Sequence, residues 1–268
     1  MAPPPVLPAW VGKQPPVAGN WTETFRDEFD APTLDLGRWT VPDKDWASWW
    51  GNSSINSARN VLVENGLMKL RAEAGIRPEH AADPKMKDRK YVTGVVTTLD
   101  KFRQRYGYFE ARVKMPKAMG LWPAFWMMPD RGPGAKDRQS THQGGNELDI
   151  WESLVRFGPY RYNIAVHWDG YGKEHQSIGT ERIYAQPDAD GWLVTGLLWE
   201  PGKLTWYANG QAVGVWANER VATVPGYLMF TLPTGGWGTN GLADDAALPD
   251  TLDIDWVRCW QNLEWSQP

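Results

Sequence analysis

The feature that most constrains this chain is alternation. Residues 106–116, YGYFEARVKMP, set Tyr108, Glu110, Arg112 and Lys114 against Phe109, Ala111, Val113 and Met115. Successive side chains of a strand point to opposite faces, so this period of two predicts a half-buried strand. Long helical periodicity is hard to find. Asn65-Gly66 lies inside VLVENGLMKLRA, and Asn209-Gly210 lies inside LTWYANGQAVGVW. Both turn residues of a two-residue hairpin adopt positive φ, which Asn and Gly accept readily, so each pair predicts a hairpin. Further strands are expected at 91–99, 122–128, 161–168, 193–199, 227–232 and 251–260. Many short strands, punctuated by 27 Gly and 21 Pro, predict an all-β antiparallel sandwich or jelly roll.

No internal repeat and no linker divides the chain. The expected organisation is a Pro-rich lead-in over 1–20, MAPPPVLPAWVGKQPPVAGN, followed by a single domain over 21–268. The lead-in has neither a charged n-region nor an apolar h-region, so it reads as extended chain. No stretch is long and apolar enough to span a membrane as a helix. With 28 basic and 32 acidic residues and no basic run interleaved with aromatics, nucleic acid is not expected as a partner. The single cysteine, Cys259 in DWVRCW, excludes an internal disulfide and reads as a buried thiol. Eighteen Trp is the unusual figure, and core filling must account for many of them. Trp suits surfaces that are apolar on one face and wet at the edge, which is the character of a sugar ring. A carbohydrate is therefore the favoured partner.

GGNELDIWESL, residues 144–154, places Glu147, Asp149 and Glu152 within six positions. Glu147 and Asp149 share a strand face, whereas Glu152 has the opposite parity. One extra residue, a β-bulge at Ile150-Trp151, would bring Glu152 round to join them. Two glutamates bracketing an aspartate then fit a retaining glycosidase, in which one carboxylate attacks the anomeric carbon and the other protonates the leaving oxygen. The competing reading is a polar strand face in water.

Glu147-Leu-Asp149-Ile-Trp-Glu152 resembles the E-x-D-x-x-E signature of glycoside hydrolase family 16, in the bulged form of laminarinases, agarases and carrageenases. FRDEFD, NVLVENGLMKL, YVTGVVTT, YGYFEARVKMP, GLWPAFWMMP and LDIDWVRCWQ match in the expected order, from about residue 21 onward. The resemblance implies a concanavalin A-like jelly roll of two curved antiparallel sheets with a cleft across the concave face. It implies Glu147 as nucleophile, Glu152 as general acid/base and Asp149 between them. No cofactor is implied for catalysis. A structural Ca²⁺ on the convex side is implied, held by the backbone carbonyls of Glu28 and Gly66 and the carboxylate of Asp255. Asp255 could equally pair with an arginine such as Arg258.

For the cleft, Trp122, Ala124 and Trp126 share one strand face, with Phe125 and Met127 on the other. The resemblance puts Trp126 near the sugar at the cleavage point and Trp122 farther along; core packing is the alternative for both. Trp49 and Trp50 in DWASWWG, beside Trp46, and Trp237 in TGGWGTNG are candidate stacking platforms. His167, on a strand after the catalytic one, is a candidate cleft residue. His80, His142 and His175 are expected to face solvent. The resemblance implies endo-cleavage of a β-1,3- or mixed-linkage glucan, or of a β-linked galactan of the agar or carrageenan type. Val95, Val96 and Thr97 stand where many laminarinases carry an arginine, which leans toward galactan. Single residues such as Arg59 or Lys173 could contact one sulfate. A transglycosylase and a non-catalytic sugar-binding protein are the alternatives. A secreted or periplasmic monomer is expected.

Overall fold

The computed structural model describes residues 4–43, 53–81, 84, 89–158 and 160–265. In chain order its strands are β1 (Trp21–Asp27), β2 (Ser54–Asn56), β3 (Val61–Glu64), β4 (Leu67–Ala74), β5 (Tyr91–Thr93), β6 (Val95–Thr97), β7 (Gly107–Lys114) and β8 (Ala124–Pro129). There follow β9 (Glu147–Ser153), β10 (Arg161–Trp168), β11 (Gln176–Tyr184), β12 (Trp192–Glu200), β13 (Lys203–Ala208), β14 (Gln211–Ala217), β15 (Gly226–Thr231) and β16 (Asp250–Asn262). Two sheets form. One runs β14-β13-β12-β7-β16-β4-β5-β2, with β1 also beside β16 and β3 beside β4; the other runs β11-β10-β9-β8-β15-β6. The pairs are antiparallel except for β2 with β5. This is the all-β jelly roll that the alternation predicts.

Each sheet turns one side-chain face inward. Phe109, Ala111 and Val113 of β7 share a single apolar cluster with Phe125 and Met127 of β8, Leu148, Ile150 and Trp151 of β9, and Phe230 of β15. Phe125 stacks on Phe230 with centroids 4.5 Å apart. Fully burying a side chain of this kind contributes about 1.5–3 kcal/mol, so the period of two is enforced along every central strand. Both Asn-Gly pairs are hairpin turns, with φ of +56° and +73° at Asn65-Gly66 and +49° and +77° at Asn209-Gly210. They join β3 to β4 and β13 to β14.

The expected strand at 91–99 is divided at Gly94 into β5 and β6. A Cβ there would lie 2.4 Å from the Asn60 carbonyl oxygen, so only glycine lets the chain cross this point. β11 escapes the sequence pattern because it is an exposed edge strand with little apolar alternation to read.

The Pro-rich lead-in is not extended. The Val11 amide donates to the Pro8 carbonyl, and the Lys13 and Gln14 amides donate to that of Trp10. Trp10 packs edge-on against Tyr108 and Tyr207, and the Gly12 amide donates to Glu110 Oε2 at 2.8 Å. The outer face of β7 at Tyr108 and Glu110 is consequently dry, each residue being 0% exposed, rather than half-buried.

The implied calcium site is a second point of difference. Asp27 pairs with Val257 and Met68 with Ile254, so the register brings the segments of Glu28, Gly66 and Asp255 close together. However, the Asp255 carboxylate accepts from Arg112 at 2.6 Å, and Glu28, not Asp255, is the partner of Arg258. A hard cation needs free oxygen donors. The carboxylate of the implied set is engaged by a guanidinium that it shares with Asp188, so it does not stand free as a calcium ligand.

Candidate active site

The carboxylates come from β9, and the bulge is written in its pairing. On one side Trp126 faces Asp149 and Ala124 faces Glu152; on the other, Ala165 faces Asp149 and Asn163 faces Glu152. Each neighbour uses two steps where β9 uses three, so one extra residue sits at Ile150-Trp151. Both of these are 0% exposed in the intersheet core, and the parity beyond them is inverted. Glu147, Asp149 and Glu152 therefore line the same cavities on the outer face of the sheet.

Each acid has its own partners. Tyr171 donates its hydroxyl to Glu147 Oε2. His167 Nε2 stands 3.3 Å from Asp149 Oδ2 and 3.8 Å from Glu147 Oε1. Glu152 accepts from the Trp122 indole at 3.2 Å and the Asn163 amide at 2.6 Å. Burial dominates over these contacts and pushes all three carboxyls up to about 8. The charge of Asp149 adds to the rise at both glutamates, whereas His167 and the Tyr171 hydroxyl favour ionised Glu147. Three buried carboxyls this close cannot all ionise, so the cluster shares its protons. His167 and Tyr171 favour charge on Glu147, and the charge of Asp149 favours a proton on Glu152, as a general acid requires. Glu147, Asp149 and His167 are also close enough to hold a metal ion. Yet Tyr171 and His167 already engage the carboxylates, and the acid pair explains the geometry without one.

The cleft extends from the acids in both directions. A cavity of about 360 Å³ lies over β8 and β15 and is lined by Trp126, Met128, Tyr171 and Thr231. A second, of about 1010 Å³, lies over β10 and β11 and is lined by Asn163, His167 and Trp237. Trp122 and the three acids belong to both. Ala124, Trp126 and Met128 share the cleft face of β8, while Phe125 and Met127 enter the core, as their parity predicts. Trp126 is nonetheless only 8% exposed, with its indole donating to Thr231 at 3.3 Å. Trp237 stands 5.9 Å from Trp122 and is 42% exposed, with the Arg156 guanidinium 4.4 Å over its ring. Trp46, Trp49 and Trp50 lie outside the described residues.

Three residues join the site that the sequence did not place there. His175 does not simply face solvent: its Nε2 lies 2.9 Å from His167 Nδ1, with the two rings stacked. Asn163 could have been found, because it shares a strand face with His167 beside the acidic strand. Tyr171 carried no signal, since its reach to Glu147 depends on how the loop after β10 folds back.

A family model described as beta-porphyranase A-D, GH16 domain, matches residues 20–262. The chain belongs to glycoside hydrolase family 16. It is 28% identical to glucan endo-1,3-beta-glucosidase A1 of Niallia circulans over 92% of this chain, and spans 39% of that protein's length. It is also 28% identical to the beta-glucanase of Rhodothermus marinus, over 92% of this chain and 87% of that one. The endo-beta-1,3-glucanase of Pyrococcus furiosus has the same fold, with a TM-score of 0.75 at 25% identity, covering 90% of this chain and 94% of that one. This GH16 domain thus carries the bulged acidic strand on the scaffold of a glycosidase family.

Proposed function

We propose that this domain is an endo-acting, retaining β-glycanase whose substrate is a β-linked galactan of the agar or carrageenan type. The observation that carries the reading is the bulge, which sets two glutamates and an aspartate on one dry face. Glu147 is the nucleophile: its carboxylate bonds to the anomeric carbon as the glycosidic C–O bond breaks. Glu152 gives its proton to the departing oxygen. Water then attacks the glycosyl-enzyme, Glu152 takes the water's proton, and Glu147 leaves as carboxylate. Asp149 lies between the glutamates, and its charge helps keep Glu152 protonated until the leaving group needs the proton. Tyr171 and His167 stabilise the charge that returns to Glu147 after hydrolysis. Trp122 and Trp237 offer faces for sugar rings, and a cavity on each side of the acids suits cleavage within a chain.

Galactan is preferred to glucan for two reasons. The matching family is that of the porphyranases. Val95, Val96 and Thr97 of β6 are at most 1% exposed, so this strand sends no cation into the cleft. A polysaccharide is degraded outside the cell's inner compartment, which supports a secreted or periplasmic location.

Proton NMR of early agaran or carrageenan digests is expected to show the β-anomer first, and an initial α-anomer would remove the double displacement. Glu147→Ala is expected to abolish turnover. Glu152→Ala is expected to lower it by about 10²–10⁴-fold. Azide should rescue the first variant with an α-glycosyl azide and the second with a β-glycosyl azide, separating the two roles. A non-catalytic sugar-binding protein would show no turnover in the parent domain.

A further inference from the structure

Tyr171 is 58% exposed, yet its hydroxyl donates to Glu147 Oε2. Side-chain packing alone does not fix it there: the hydroxyl lies 3.6 Å from Met128 Sδ, and the ring is 5.7 Å from that of His175. The backbone ahead of it is held instead. Asp169 and Gly170 form a turn with φ of +60° and +79°, and both amides donate to one residue, Thr141. The Asp169 amide reaches the Thr141 carbonyl at 3.2 Å, and the Gly170 amide reaches Thr141 Oγ1 at 2.9 Å. A Cβ at Gly170 would lie 2.6 Å from His142 Nε2, so the turn presses directly on the loop that carries Thr141. That loop, residues 130–146, is braced from within. Arg131 donates to the carbonyls of Asp137, Ser140, His142 and Gln143 at 2.5–3.3 Å. Arg138 closes its base on Asp130 at 2.5 Å and Asp100 at 2.6 Å. Thr141 itself is 1% exposed.

The two oxygens of Glu147 are therefore not equivalent. Oε2 carries the tyrosine hydroxyl, whereas Oε1 has His167 Nε2 at 3.8 Å, beyond hydrogen-bond reach, and is the better nucleophile. We propose that Tyr171 is a further catalytic residue that sets how long the glycosyl-enzyme lives, and that Thr141 is the positioning residue that holds it there. This deepens the double-displacement reading and rests on it. Once the ester has formed through Oε1, Oε2 is its carbonyl oxygen. Water bonds through its oxygen to the anomeric carbon, and Glu152 takes the water's proton. The bond from that carbon to Oε1 breaks, its electron pair going to the Glu147 carboxylate. Tyr171 keeps its own proton throughout, and its hydrogen bond strengthens as charge spreads onto Oε2. The same bond opposes the first step, because a carboxylate stabilised in the free enzyme attacks less readily. Its effects on the two steps have opposite signs.

The test uses the 2,4-dinitrophenyl β-glycosides of neoagarobiose and of laminaribiose. Their leaving group makes the first step fast, so kcat reports breakdown of the glycosyl-enzyme and kcat/KM reports its formation. Which of the two the parent cleaves decides galactan against glucan and leaves the test of Tyr171 intact. Tyr171→Phe is expected to lower kcat by about 10–100-fold, the size of one charge-assisted hydrogen bond. KM should fall with it, leaving kcat/KM at or above the parent value, and intact mass of acid-quenched enzyme should show the glycosyl adduct accumulating. Thr141→Val is expected to move kcat and KM in the same direction, and Thr141→Ser, which keeps the hydroxyl acceptor, should restore the parent values. Adding Thr141→Val to Tyr171→Phe should lower kcat no further. An unchanged kcat in Tyr171→Phe, or a kcat/KM that falls with it, overturns the catalytic role. Additive losses in the double variant overturn the clamp. Failure of the double displacement looks different: the parent would release dinitrophenol without a burst, and no variant would carry an adduct.

Discussion

Glu152 sits between two donors, the Trp122 indole and the Asn163 amide, yet burial beside Asp149 still raises its carboxyl to about 8. The sign of the consequence for stability is fixed. Between the ordinary glutamate value and about 8, the folded protein holds a proton that the unfolded chain has released, so stability falls as pH rises through that window. Glu152→Gln removes the ionisation and is expected to raise Tm near pH 8 but not near pH 4, while activity is lost. Each kcal/mol relieved corresponds to roughly 2–4 °C, and thermal scans across pH would show it. A Tm gain independent of pH would mean that the strain is steric and not electrostatic. At this scale, legibility follows the chain's local geometry. The three acids could be read because parity and one inserted residue define their face, and the face of Trp126 could be read from the same parity. Tyr171 and His175 could not, because a loop's fold, and not a period, carries them to Glu147 and His167.

At the scale of the element, the bulge in β9 places Ile150 and Trp151 both in the core, where a regular strand would bury one of them. Deleting Ile150 would remove the extra step, so that β9 pairs regularly with β8 and β10. The acids would then stand at alternate positions, still on the cleft face. The deletion variant is expected to lose about 2–5 kcal/mol, the cost of a buried aliphatic side chain, yet to retain measurable hydrolysis. Inserting an alanine after Trp151, with the one-residue bulge retained, would instead turn the Glu152 side chain toward the opposite sheet and abolish activity. Denaturant melts paired with reducing-end assays separate the outcomes. A folded deletion variant that is wholly inactive would mean that the bulge sets the acid spacing and not merely the acid parity. Strands of this kind were legible wherever both faces differ, as in β7, β8 and β10. The exposed edge β11 lacked that contrast, and Gly94 divided a strand for a reason, the Asn60 carbonyl, that is distant in sequence.

The whole molecule couples its first residues to the sheet opposite the cleft. Composition alone made residues 1–20 an appendage, because Pro-rich sequence carries no periodicity; it cannot reveal that Trp10 lies against Tyr108 and Tyr207, or that Arg258 donates to the Gly12 carbonyl. Beneath this cover Glu110 accepts from the Tyr108 hydroxyl at 2.7 Å and from the Gly12 amide, and burial raises its carboxyl to about 7. Removing residues 1–14 would expose Glu110 to water and leave the cleft untouched, since the acids lie on the other sheet. The truncated domain is expected to lose about 1.5–3 kcal/mol for the hydrogen bond to a charged acceptor, together with the aromatic contacts of Trp10. Its kcat per folded molecule should stay at the parent value. The pH dependence provides the specific signature. In the full chain, Glu110 subtracts stability as pH rises from the ordinary glutamate value toward 7, because the unfolded chain releases a proton that the buried acid keeps. That slope should be shallower both in the truncation and in Glu110→Gln, and the remaining slope, toward 8, belongs to the cleft acids. Tm measured against pH for the three proteins checks this, and parallel curves would show that the lead-in rests on the sheet without governing the charge beneath it.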